Sequence, residues 1–461
     1  MASIAWTGRW CRASRWLIPF ALLVGAAPAF AQVVVRDAVL PYPDPILGPV
    51  PITLGHLVVD GSERVFLAGD VWFAGGVQPA LMALETTGAV RWVVRQDDES
   101  TGFGSRVVPD GDGGAFLVGF VDTGPHGYMS SRHGDVEVAH FTAEGSPGVD
   151  GRFGEPGESE ERPAAATQLE GGAVVVAGAR MTGTATLASV PLVIAFGADG
   201  QPAWSWSAPG ATLFLVGQLS ALDGGDVLMA GTLIDFGPAP DFQEQQQCLA
   251  VRLGPAGEER YVFRRGSALE SARCPRAVID AAGIRLLVTD ASGTSLLPLD
   301  ATGTAGTPVS LPIPDGTALN VVKPHAGGLL VAGSRGPNGA RRLFAAHLGP
   351  DMTAYWQTES APRPLVGGVV GAVGPHDSVL LVAQEQIAAG TCAVRTLQLD
   401  ADGHERTSRL LLAGALAHCM GPIGLVATTE NYLLAANVAT LDGATIGLLH
   451  LEPAIFQHGF D

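Results

Sequence analysis

Apolar residues in this chain arrive in short bursts bounded by glycine and polar turns. The burst 327–333, GGLLVAG, recurs with variation as VFLAG from Val65, AFLVG from Ala115, VVVAG from Val174, VLMAG from Val227, LLVTD from Leu286, LLVAQ from Leu380 and LLAAN from Leu433. Each burst is too short for a buried helix and has the length and β-branched content of a buried strand. Measured at Ala68, Val118, Ala177, Ala230, Thr289, Ala332, Ala383 and Ala436, the spacings are 50, 59, 53, 59, 43, 51 and 53 residues. Every unit has the same internal order. A first β-rich segment ends at a turn, as in HLVVDG from His56 or RAVIDAAG from Arg276, and the apolar burst follows. A third alternating segment then runs into a polar turn that usually holds glycine, as in LMALETTG from Leu81 or LQLDADG from Leu397. The fourth often carries an aromatic, at Trp92, Trp204, Tyr261 and Tyr355. Helical periodicity is nowhere sustained.

A four-stranded unit of about fifty residues is the period of a β-propeller blade. One such sheet exposes both faces, so the units must stack and the ring must close. The expectation is an all-β fold, a β-propeller of four-stranded antiparallel blades, eight in number with seven as the alternative. Residues 32–55 read as one strand at Val33–Val35 and a proline-rich connector (Pro41, Pro43, Pro45, Pro49, Pro51), and residues 56–461 as a single propeller domain. The last unit has only a short remainder after LLHLE, 448–452, so the strand near 33–40 is expected to complete its sheet and close the ring.

Composition changes the picture in two places. Arg9, Arg12 and Arg15, an apolar run over 17–27 and Ala29-Phe30-Ala31 form the charged, apolar and small-residue regions of a signal peptide over residues 1–31. That run is too short to span a bilayer, so export to the periplasm or beyond is expected, with no membrane span. Without those residues the chain holds 24 basic and 45 acidic side chains, a charge of −21. Such a surface repels phosphate backbones, which argues against nucleic acid as a partner and for a soluble chain, read here as a monomer. Lysine occurs once, at Lys323, and is read as genome composition.

Four cysteines remain after Cys11. Cys248 and Cys392 both begin a third strand, and Cys274 and Cys419 both begin the next unit's first strand. Equivalent placement in two repeats of an exported chain predicts bonds Cys248–Cys274 and Cys392–Cys419. A zinc site does not fit the spacing.

No catalytic, cofactor-binding or metal-binding residue stands out. The acidic runs Asp110-Gly111-Asp112-Gly113, Asp223-Gly224-Gly225-Asp226 and Asp400-Ala401-Asp402-Gly403 read as tight turns, with calcium as the alternative. His126 and His133, with Tyr128, Arg132 and Asp135, form an insertion that reads as a solvent-facing loop or a binding lid. The first strands offer Arg106, Gln218, Arg276 and Asn320 to a central channel, but no recurring histidine or carboxylate that would converge on a metal.

The VAHFTAEG…GRFGEPG stretch, 138–157, resembles the delta-60 type of propeller repeat. The GGxxVxAG strands are similar to the SBBP bacterial repeat, and the TTGAVRW and ADGQPAW turns to quinoprotein-type repeats. This resemblance implies a propeller and export, and no particular reaction. The reading is an exported binding or scaffolding module for an unknown protein or carbohydrate partner. Its alternatives are a channel-site enzyme of quinoprotein or lyase type and a carbohydrate or surface-matrix binder.

Overall fold

In the computed structural model the repeat unit is an antiparallel meander of four strands. The structure describes residues 34–451 except 41, 45–47, 51, 74–75, 86–87, 97–101, 123–133, 156–158, 183–187, 237–243, 268–269, 417–421, 430 and 441–442. The expected signal peptide, Cys419 and the insertion holding His126 and His133 therefore lie outside the described residues. Residues 32–461 form one unit.

Four-stranded sheets in simple sequence order span 52–95, 213–265, 272–310, 317–359 and 365–416. The meanders 102–153 and 159–207 have the same order and are joined by one parallel bridge, Gly134 to Glu160, into an eight-stranded sheet. A further sheet holds Pro422–Ala427, Tyr432–Thr440 and Gly443–Leu451, and its fourth strand is Val34–Leu40 from the other end of the chain. That strand runs antiparallel to Gly443–Leu451, with Leu40 opposite Ile446 and Ala38 opposite Leu448. The protein is thus all-β, built of mostly antiparallel four-stranded blades in a β-propeller.

Its cores lie between successive sheets, as a meander with two apolar faces requires. Phe66 and Leu81 of the 52–95 sheet pack with Val107 and Leu117 of the next, and Leu228 and Cys248 pack with Leu286 and Leu297. The last sheet returns to the first, where Leu433 and Ala435 pack among Leu54, Leu67 and Met82. Asn437 fixes the same junction by accepting from the Leu54 N–H at 2.7 Å and donating to the Leu54 carbonyl at 3.1 Å.

Fourth-strand aromatics clamp four of these sheets, 52–95, 159–207, 213–265 and 317–359, to the next. The indole nitrogens of Trp92, Trp204 and Trp356 donate to the carbonyls of Ala143, Pro255 and Ala401, at 2.8, 2.9 and 2.8 Å. Each ring lies over the turn glycine two residues further on, so a Cβ on Gly145 would come within 2.8 Å of Trp92 and one on Gly257 within 2.7 Å of Trp204. Tyr261 covers Gly303 in the same way. In the 317–359 sheet the clamp is Trp356 and not Tyr355, which is 60% exposed. Side chains alternate along a strand, so moving one residue changes the face.

Candidate functional site

Each blade's first strand touches the first strand of the next, from Ile52–Val59 round to Pro422–Ala427, and that last strand touches Ile52–Val59. These strands line the centre. All of them break register at the same depth, between Leu54 and His56, Gly104 and Arg106, Pro163 and Ala165, Val216 and Gln218, Arg273 and Arg276, Leu319 and Val321, Val366 and Val369, and Pro422 and Gly424. A bulge bends the strand and re-aims the residue that follows it.

Several of the re-aimed polar groups are held by the neighbouring blade. His56 Nδ1 accepts from the Val107 N–H at 3.2 Å, and Gln218 Oε1 accepts from the Ala277 N–H at 2.9 Å. Gln218 also donates to Ser220 Oγ at 2.8 Å. Lys323 Nζ donates to the Gly371 carbonyl at 3.4 Å. Burial, helped by Arg106, lowers the His56 pKa to about 4, so the ring is neutral at pH 7. Burial lowers the pKa of Arg106 and of Arg276, and burial followed by repulsion from Arg276 lowers that of Lys323. Next to this wall Asp70 accepts from the Gly104 N–H at 2.6 Å, and burial raises its pKa to about 7 against that hydrogen bond.

Two clefts flank the 317–359 sheet. One, of 470 Å³, lies where its first hairpin meets that of the 272–310 sheet, with Asp280, Arg285, Pro324, His325 and Met352 in its wall. Behind that wall the ring of His347 lies 4.8 Å from that of His325 and meets the exposed Tyr355 edge-on at 5.1 Å. Burial, then His347, lowers the pKa of His325. The second, of 540 Å³, is bordered by Arg335, Pro337, Arg342, Glu359 and Pro362. Antiparallel order puts the two clefts on opposite faces of the ring.

The acidic runs at Asp110 and Asp400 are turns whose first carboxylate accepts from backbone N–H groups two and four residues on. Asp110 accepts from Asp112 at 2.7 Å and Gly114 at 2.9 Å, and Asp400 from Asp402 at 3.0 Å and His404 at 2.8 Å. Asp60 and Asp300 repeat this geometry. Asp226 of the DGGD run accepts from Arg252 at 2.8 Å. Asp400, Asp402 and His404 also group their ligand atoms within 4.8 Å, on an exposed turn.

Cys248 and Cys274 form a disulfide between consecutive sheets. Cys392 is also disulfide-bonded. Of the sequence candidates, Arg106, Gln218, Arg276 and Asn320 all sit on first strands, and Gln218 is held by the next blade. Composition alone hid Lys323, on the same wall.

No family model matches the chain, and no curated protein matches its sequence. Among solved structures, the WD40 domain of SCAP from fission yeast is similar at 9% identity over 91% of this chain and 99% of that one, with a TM-score of 0.45. Puromycin hydrolase is similar at 16% identity over 85% of this chain and 59% of that one, TM-score 0.47. A protein of unknown function from Dyadobacter fermentans is similar at 12% identity over 75% and 93%, TM-score 0.37. Likeness at this level carries no argument about a site, and the class of protein, a β-propeller, rests on this chain's own sheets. Among the described residues no helix is long and apolar enough to cross a membrane.

Proposed function

We propose that this chain is an exported eight-bladed propeller, closed by its N-terminal strand, that acts as a binding or scaffolding module. The observation that carries the reading is the use of its polar groups. His56, Gln218 and Asn437 tie one blade to the next, and the turn aspartates hold their own backbones. Such bonds rigidify a ring that offers two broad faces to a partner. A disulfide across consecutive sheets suits an oxidising compartment outside the cytoplasm, and the Cys392–Cys419 bond is proposed as its counterpart.

Binding beside the 470 Å³ cleft is favoured by Tyr355, an exposed ring on His347, which in turn packs on the cleft residue His325; an exposed ring next to polar groups suits a carbohydrate or a protein loop. The test is a glycan array probed with the chain lacking residues 1–31, beside its Tyr355→Ala variant. The reading expects a defined set of glycans whose signal is lost in the variant. Equal signal from both proteins would remove the cleft from the account.

A further inference from the structure

We propose that the channel wall built by the 272–310, 317–359 and 365–416 sheets binds a small organic anion bearing carboxylate or phosphate groups, with Arg276 and Lys323 as its charge partners. This site is separate from the cleft and does not depend on the binding-module reading.

Acidic residues are nearly absent from the first strands. The chain has 45 acidic residues, yet those on described first strands are Glu160 and Glu161, near the start of Ser159–Gln168, and Asp280, at the end of Ala272–Asp280. Each is already engaged, Glu160 with Arg162, Glu161 with Ser159 and Asp280 with Arg285. Between those ends the strands carry only neutral or basic groups, including the single lysine of the sequence. Among the described residues no carboxylate forms an ion pair with Arg276 or Lys323. The Lys323 hydrogen bond to Gly371 uses one of its three N–H donors. Arg276 and Lys323 stand on first strands that touch, and two such cations without a carboxylate counter-ion gain most from an anion placed between them.

The wall also has room and a neutral donor. Gly367 and Gly368 form the bulge of Leu365–Val373 and are exposed, with Gly367 at φ 74°. Asn320 Nδ2 lies 3.4 Å from where a Cβ on Gly368 would sit. From Gly371 back to Gly368 the strand runs about 10 Å, at roughly 3.3 Å per residue. That length suits a ligand the size of citrate better than a single ion.

The test is calorimetric titration of the purified chain with citrate and, separately, with inorganic phosphate, in low salt. Citrate should bind, and Lys323→Gln and Arg276→Gln should each weaken it about tenfold or more. Lys323→Arg should restore binding to within a few-fold of the native chain, and Arg264→Gln, on an exposed outer strand, should leave it unchanged. Each variant is first checked for a native melting temperature, which removal of an unpaired charge should not lower. Binding of phosphate with the same dependence on both cations would also support the site and assign it to phosphate chemistry. The proposal is overturned if neither anion binds at about 10 mM, or if Lys323→Gln binds as the native chain does.

Discussion

Trp204 and Gly257 show how one pair of residues holds two blades. The indole donates to Pro255 O and covers a glycine whose φ of 80° is costly for any residue with a Cβ. Gly257→Ala should therefore destabilise by about 1–3 kcal/mol, combining left-handed strain with displacement of the ring. In a double-mutant cycle with Trp204→Ala, thermal denaturation should show coupling between the two, and additive losses would refute the clamp. A second residue-scale prediction concerns pH. Asp70 has a folded pKa near 7 against an ordinary value of 3.8, so the folded chain holds an extra proton between these limits. Its contribution is fully present below pH 3.8 and is lost as pH rises towards 7. Asp70→Asn keeps an acceptor for Gly104 and should melt at a higher temperature than the native chain at pH 8, and at the same temperature near pH 3.5. His56 acts oppositely: its folded pKa is near 4 against 6.5, so its contribution is present above pH 6.5 and lost as pH falls towards 4. Sequence reading reached some of this scale. It placed Trp92, Trp204, Tyr261 and Tyr355 on fourth strands, where they lie, but strand phase is invisible within two adjacent aromatics, so the part played by Trp356 was not legible. It set Lys323 aside because rarity has no direction until the strand is placed at the centre.

Strands and turns were the most legible layer. Four β segments per unit follow from apolar bursts and glycine turns, and a hairpin leaves an antiparallel chain little choice. The bulge shared by the first strands was not legible, because Gly55, Ser105, Ala164, Gly217 and Asn320 have no common side chain. Those bulges set which groups face the centre, so strand pattern alone does not reveal the site. Equivalent positions in two repeats pointed to the cysteine pairs, and the Cys248–Cys274 bond lies between consecutive sheets. Closing a loop with a sequence separation of 26 restricts the unfolded chain by roughly 3–4 kcal/mol. Replacing both cysteines with alanine should lower the melting temperature by several degrees with the β-sheet circular dichroism unchanged at 25 °C. An unchanged melting temperature would mean that the bond adds nothing beyond the packing around it.

At the scale of the whole molecule, stability is shared among junctions rather than held in one core, because every apolar cluster draws on neighbouring sheets. A ring of this kind has one weak point, the place where its ends meet. Here the junction has two parts, the packing of Leu54 against Leu433 and Ala435, and the pairing of Val34–Leu40 with Gly443–Leu451. Without that N-terminal strand the last sheet would keep an unpaired edge, open to association with other chains. The decisive measurement compares the melting temperature and oligomeric state of residues 32–461 and residues 41–461, with and without a synthetic peptide of residues 32–40. The account predicts that the shorter chain melts lower and self-associates, and that the peptide restores both properties. Equal melting temperatures and a monomeric shorter chain would contradict closure of the ring by its first strand.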